Sequence, residues 1–284
     1  MRSIVSLGLI LVASSAFANE CAFQEPRNLD IDAGGVRTLE ARLGSTDLRV
    51  VGDPSVKRVE VRGRACASAQ NRLAEVSLEQ RRDGDTLVLT PHSADQMNIG
   101  PFGSNYAYLD VEVRIPQSVA VRIRSASGDV DAKHVSSLDF TSNSGDLVVD
   151  GVDGELRAEV HSGDVKAHEL GQLDVARSGS GDVVATKVRD DVHVGHVGSG
   201  DLNFSDVGKG VHVESIGSGD VTVRHAGGSL VIDSIGSGDV NGNDIGGDFI
   251  VKSAGSGDIH HGTVHGKISV PHDNDSDNDN DNDD

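Results

Sequence analysis

Eight copies of Ser-Gly-Asp recur along the chain, and their aspartates (Asp129, Asp146, Asp164, Asp182, Asp201, Asp220, Asp239 and Asp258) follow one another at 17, 18, 18 and then four times 19 residues. A period of this length marks a repeat architecture, in which one unit can bury its apolar face only against its neighbours. Counted from each aspartate, the 19-residue units place apolar residues at offsets 1, 6, 10, 12 and 15. Leu202, Phe204, Val207, Val211, Val213 and Ile216 fill one unit, offset 3 included, and Val221, Val223, Ala226, Leu230, Ile232 and Ile235 fill the next. Offsets 1 and 3 alternate as strand residues do, and so do 10 and 12, so each unit holds two short strands with one face buried. Ser-Gly-Asp joins one pair of strands. Gly208-Lys209-Gly210, Gly227-Gly228 and Gly246-Gly247 mark a second turn, and glycine is read as the source of the positive φ that such corners need. Valine dominates the apolar positions and no 3.6-residue pattern competes. The expectation is an all-β parallel β-solenoid, a β-helix or β-roll of about eight 17–19-residue coils. Equivalent residues stack about 4.8 Å apart, giving a rod roughly 38 Å long.

The flanks read differently. Residues 1–18 carry Arg2, an apolar run from Ile4 to Val12 and the small-residue site Ala16-Phe17-Ala18, the pattern of a secretory signal peptide. Residues 19–124 are β-rich without the clean period: Val59 and Val61, Val76 and Leu78, Leu87 and Leu89, and Leu109 to Ile115 alternate with polar residues. Gly44-Ser45-Thr46-Asp47, followed by Leu48 and Val50, reads as a degenerate opening coil. This half is expected to cap the 125–270 solenoid with irregular first coils, a separate domain being the alternative. Pro91 to Asn105, with two prolines and two glycines, reads as an exposed mobile loop. Residues 271–284, almost entirely Asp and Asn, read as a disordered tail that guards the open strand edge at Ile268 and Val270.

Charge and cysteine content narrow the partners. The formal charge is −20, and −21 once Arg2 leaves with the leader, so nucleic acid and anionic lipid headgroups are disfavoured. No later apolar run approaches the roughly 18 residues of a membrane span, so an integral membrane protein is not expected. Export would place Cys21 and Cys66 where thiols oxidise, and one disulfide is the expectation, with free thiols the alternative. It would close a loop of about 45 residues and contribute roughly 3–4 kcal/mol in the loop-entropy account.

The Ser-Gly-Asp-[Val/Leu/Ile] turns, with the segment Leu109 to Ser127 that runs strand, Ile115-Pro116, strand and first repeat, resemble a widespread bacterial family of exported β-strand-repeat proteins. Its members are described as candidate adhesins, and its domain is one of unknown function. The resemblance covers nearly the whole mature chain. It implies the fold and export, and it brings no catalytic residues.

Four groups of residues could carry chemistry. The aspartate column, with carboxylates about 4.8 Å apart, would repel by roughly 0.9 kcal/mol per neighbouring pair even in water. Either turn amides of the same or the adjacent coil satisfy each carboxylate, or Ca2+ binds between coils as in Asp-bearing nonapeptide rolls. His260, His261 and His265, with His272 close in sequence, form a candidate transition-metal cluster, and His193 and His212 share one outward offset in successive coils. The tail aspartates from Asp273 to Asp281 faintly follow an EF-hand loop but lack its glycine and final glutamate. A glycan-processing site would need paired acids on one outward face. Outward offset 2 reads Asp131, Val148, Lys166, Val184, Asn203, Thr222, Asn241, His260, and offset 4 reads Lys133, Asp150, His168, Thr186, Ser205, Arg224, Asn243, Gly262. Neither column concentrates such a pair, and Trp platforms for sugar rings are absent.

The sequence therefore reads as an exported, non-enzymatic module that binds an envelope or extracellular ligand, protein or glycan, in the periplasm or at the cell surface. No cofactor is required. A Ca2+- or transition-metal-responsive periplasmic protein and a polysaccharide-processing enzyme are the alternatives.

Overall fold

The alternation of buried and outward residues closes into coils. The computed structural model describes residues 21–93, 98–100 and 103–271; the leader, His272 and the acidic tail beyond Pro271 lie outside them. Leu202–Val207 pairs in parallel with Val183–Val188 on one side and Val221–Ala226 on the other, with Leu202 opposite both Val183 and Val221. Val211–Ile216 does the same between Val192–Val197 and Leu230–Ser237. The chain thus winds two parallel sheets into a β-solenoid, each coil contributing one strand to each sheet. Leu202, Val207, Val211, Val213 and Ile216 point inward and are buried, as are their counterparts in every full coil. Leu147–Val160 and Val165–Ser178 run unbroken around a corner and serve both sheets. Register shifts between Val152 and Glu155 and between Ala158 and Glu159 absorb their shorter repeat.

The corners work differently from the sequence expectation. In the Ser-Gly-Asp turns a side chain on Gly145, Gly163, Gly181, Gly200, Gly219 or Gly238 would overlap the carbonyl oxygen of the equivalent glycine one coil earlier. Glycine is there for close approach between coils. Apart from Gly257 in the last turn, at φ 146°, positive φ in the coils is carried by offset 5: His134, Glu169, Lys187, Asp206, His225 and Asp244 all adopt φ of 52–57°, with Gly151 at the same position. Polar residues of this kind occupy the left-handed region at a cost of about 1–3 kcal/mol each, a cost tolerated because every coil repeats the same bend.

At the N-terminal end, Thr38–Arg42 and Leu48–Asp53 form a coil stacked directly on the first repeat, with Leu39 opposite Val121 and Leu48 opposite Val130. The roughly sixty residues between these two coils turn to antiparallel pairing and close the end. Ala107–Pro116 lies parallel to Leu48–Asp53 but antiparallel to Arg58–Ala67. Phe23–Pro26 and Leu29–Asp32 then add to Arg58–Ala67. On the other sheet a hairpin of Ser77–Asp83 and Thr86–His92 covers Thr38–Arg42. One apolar core runs through all of this, from Val36 to Val251. Within the segment read as a loop, Asn98–Gly100 and Gly103–Asn105 pair as a small antiparallel sheet. Strands of three residues are too short to leave a periodic signal. At the other end, Ile268 and Val270 of the last described coil are exposed, whereas the same inward columns are dry one coil earlier at Phe249 and Val251.

Candidate functional site

The aspartate column is assembled by the repeat, and its carboxylates are already engaged. Asp146 N–H donates to Asp129 Oδ1 at 2.9 Å, Asp220 N–H to Asp201 Oδ1 at 2.9 Å, Asp239 N–H to Asp220 Oδ1 at 2.8 Å, and Asp258 N–H to Asp239 Oδ1 at 2.9 Å. The series begins in the opening coil, where Asp129 N–H donates to Asp47 Oδ1. Each aspartate also accepts at its carbonyl from the preceding coil, as Leu202 N–H donates to Asp220 O at 2.8 Å. A hydrogen bond to an ionised group is worth about 1.5–3 kcal/mol, so each amide donated from the next coil offsets repulsion between neighbouring carboxylates. The column ties coil to coil through these bonds.

Among the described residues, His260, His261 and His265 do not form a group with mutually close ligand atoms; His272 lies outside them. His260 and His261 are neighbours on one strand and so face opposite sides. His261 continues an inward column and lies over Phe249 with ring centroids 5.8 Å apart, yet it is exposed at the rod's end and reaches the same outer groove that His260 lines. His265 Nε2 sits 3.7 Å from Asp244 Oδ1. Among the described residues, the one group of three metal-capable side chains with mutually close ligand atoms is elsewhere: Asp150, His168 and Glu169. There His168 Nδ1 is 3.1 Å from Asp150 Oδ1, and the Lys187 ammonium lies 3.1 Å from Glu169 Oε1.

The outer face of the sheet containing Val192–Val197 carries charges that the two scanned columns did not include. Glu40, Arg122, Asp139, Arg157 and Asp174 fall in register along it and alternate in sign, and His193 follows in the same column. Asp174 meets Arg157 at 3.4 Å and His193 Nδ1 at 3.1 Å. His193 Nε2 is 3.3 Å from Glu214, so both ring nitrogens are committed to carboxylates. His212 follows, its ring edge-on to His193 at 5.6 Å, with Nε2 3.2 Å from Asp233. The Lys252 ammonium, 2.9 Å from Asp233 and helped by His212, holds that carboxyl below its usual range against the opposing effect of burial. From Asp139 onward this ladder occupies offset 10 or 11 in the shorter coils and offsets 11 and 13 in the 19-residue coils. It orders the surface.

The opposite sheet changes character along the rod. Near its N-terminal end, Arg49, Arg64, Asp110 and Asp131 pair across strands in a groove that Val148 flanks. Toward the C-terminal end its outward residues are Asn203, Ser205, Thr222, Arg224, Asn241 and Asn243, in strict register. With His260 and Gly262, the last four of these line a shallow groove of about 500 Å³. No carboxylate enters it. Two residues beyond Arg64 on the same strand, Cys66 forms a disulfide with Cys21 that ties the first described residue to the buried end of Arg58–Ala67. Tyr108 lies alongside, its hydroxyl pKa raised by burial and by Asp110.

Among the described residues no helix is long and apolar enough to cross a membrane. The Toastrack DUF4097 family model matches residues 54–270. No curated protein matches the chain. Among solved structures, the chain is similar to a candidate adhesin from Bacteroides fragilis, at 11% identity and a TM-score of 0.38, covering 87% of this chain and 97% of that one. It is also similar to a candidate lipid-binding protein from Parabacteroides distasonis, at 14% identity and a TM-score of 0.38, covering 88% and 98%. A third is a candidate cell adhesion protein from Clostridium sporogenes, at 10% identity and a TM-score of 0.29, covering 87% and 100%.

Proposed function

Since the chain belongs to the Toastrack DUF4097 family, we propose that it is an exported, non-enzymatic β-solenoid that acts through its surface as an adhesion-like or envelope-associated binding module. One observation carries this reading. Ionic side chains on the rod are largely paired with one another or spent on the turns, whereas the outer face around Arg224 and Asn241 keeps its polar groups unengaged among the described residues. A rigid surface with unsatisfied donors and acceptors is what a binding module needs; an enzyme would need a base, acid or nucleophile aimed into a cleft. Export rests on the leader at residues 1–18, and the disulfide fits an oxidising compartment. The test is binding of the purified chain to the cell-envelope fraction of the bacterium that encodes it. Saturable binding that disappears when the chain is unfolded supports the reading. Binding no stronger than that of an unrelated β-solenoid overturns it.

A metal-responsive role is the second reading, and Asp150, His168 and Glu169 are the observation that favours it. Zinc would have to displace Lys187 from Glu169. If zinc bound there, it would raise the melting temperature of the wild type and not of His168→Ala; an unchanged wild-type melt would rule it out.

A further inference from the structure

We infer that the carboxylate-free outer face, centred on Thr222, Arg224, Asn241 and Asn243, binds a neutral polysaccharide chain laid along the rod; the inference rests on the surface-binding reading above and names its ligand class. Charged residues make up 25% of this chain and its net charge is −20, so two outward columns that carry no carboxylate over four successive strands are a local departure from its composition. Arg224 is exposed, and no side-chain hydrogen bond or ion pair engages it among the described residues. The same holds for the amides of Asn203, Asn241 and Asn243 and the hydroxyl of Thr222.

The chemistry of these groups selects the ligand. Amide and hydroxyl side chains both donate and accept, and a guanidinium adds a fork of donors. Sugar hydroxyls require that mixture. Charge excludes the anionic alternatives. The groove is bordered on one side by the turn aspartates Asp220 and Asp239 and on the other by Asp206 and Asp244 at the corner, with only His225 between the latter two. A polyanion lying across the face would meet carboxylates on both rims, within the roughly 8–10 Å over which charges are felt at physiological salt. A peptide is disfavoured by topology. Extended peptides bind by adding to a strand edge, and here the backbone groups beneath the face are already paired with the coils before and after.

Geometry favours a long chain over a single sugar. Equivalent side chains repeat about every 4.8 Å along the rod, close to the advance of one ring in an extended polysaccharide. Successive rings can therefore meet successive rungs: Asn203, Thr222, Asn241 and His260 in one column, Ser205, Arg224 and Asn243 in the other. The face has no aromatic platform, both tyrosines lying at the far end beside the disulfide. Each rung contributes little alone, and affinity must accumulate along the chain. Gly262 keeps the groove open at its end, since a side chain there would collide with the Asn243 amide.

The test uses the full exported chain on an array of neutral and acidic oligosaccharides of graded length, with Arg224→Ala and the near-isosteric pair Asn241→Asp/Asn243→Asp, each checked for an unchanged melting temperature. The expected result is binding to neutral oligomers that strengthens with length and falls at least tenfold in both variants. Binding to acidic oligomers alone, or neutral binding that neither variant weakens, overturns the inference. If the chain binds the envelope fraction but no neutral oligosaccharide, the inference fails and the surface-binding reading survives. If it binds neither, both fail.

Discussion

At the scale of single residues, the repeat assigns each member of Ser-Gly-Asp a task between coils. The aspartate accepts the amide of the next aspartate, and the glycine makes room for the preceding carbonyl. Gly219→Ala must push apart two coils that touch through backbone atoms. It should cost about 1–3 kcal/mol, as overpacking does, measured by urea unfolding; an effect below a few tenths would show that the turn has slack. The Asp233–Lys252 pair predicts a pH signature. The folded Asp233 carboxyl titrates below its unfolded value, so its stabilisation is present above the ordinary Asp pKa of about 3.9 and is lost as pH falls through the lower, folded value. Lys252→Ala should therefore lower stability slightly near neutrality, and its difference from wild type should vanish in acid. Both partners are partly exposed, so the difference should not exceed a few tenths of a kcal/mol. A gap that persists once the folded carboxyl is fully protonated would contradict this assignment.

At the scale of elements, much of the fold is legible because strand periodicity and repeat length act together. Leu202, Val211 and Val213 are inward because they alternate, and their columns align because each Asp restarts the count. The opening coil at Asp47 could be recognised from a degenerate turn followed by Leu48 and Val50. The left-handed corner at Lys187, Asp206 and His225 could not, because a mixed column of charged residues reads as ordinary surface and its φ comes from stacking. The antiparallel closure of the N-terminal end was equally hidden, since Arg58–Ala67 alternates in the same way whichever direction its neighbour runs. Of the candidate sites, the aspartate column was visible as a column and its hydrogen-bonding role was one of two readings. His260 and His261 diverge as adjacent strand residues do, and the Asn and Thr columns are visible in the sequence as outward positions but carry no charge pattern that marks them as a site. The disulfide belongs to this scale too. It fastens Phe23–Pro26 to the end cap across 45 residues, and a Cys21→Ser/Cys66→Ala variant should lose about 3–4 kcal/mol in denaturant unfolding, with the repeat coils retaining their β circular dichroism below the transition. No loss would mean that the strand pairing alone secures the end.

At the scale of the whole molecule, the rod is a stack in which each coil touches only its neighbours, so its integrity depends on a rung repeated many times more than on any one contact. The same repetition separates structure from function. The column that is identical in every coil holds the rod together, and the faces that vary from coil to coil remain to be read by a ligand. The claim beneath the whole account is that the turn carboxylates hold coil to coil without a cation. Amide hydrogen exchange at Asp239 tests it most directly, compared between wild type, Asp220→Ala and Asp220→Asn, each with EDTA and with added calcium. Since Asp239 N–H donates to Asp220 Oδ1 at 2.8 Å, protection should fall at least tenfold in Asp220→Ala, remain largely intact in Asp220→Asn, whose amide oxygen still accepts, and not respond to calcium in any of the three. Protection that survives the alanine, or that appears only when calcium is added, would contradict it.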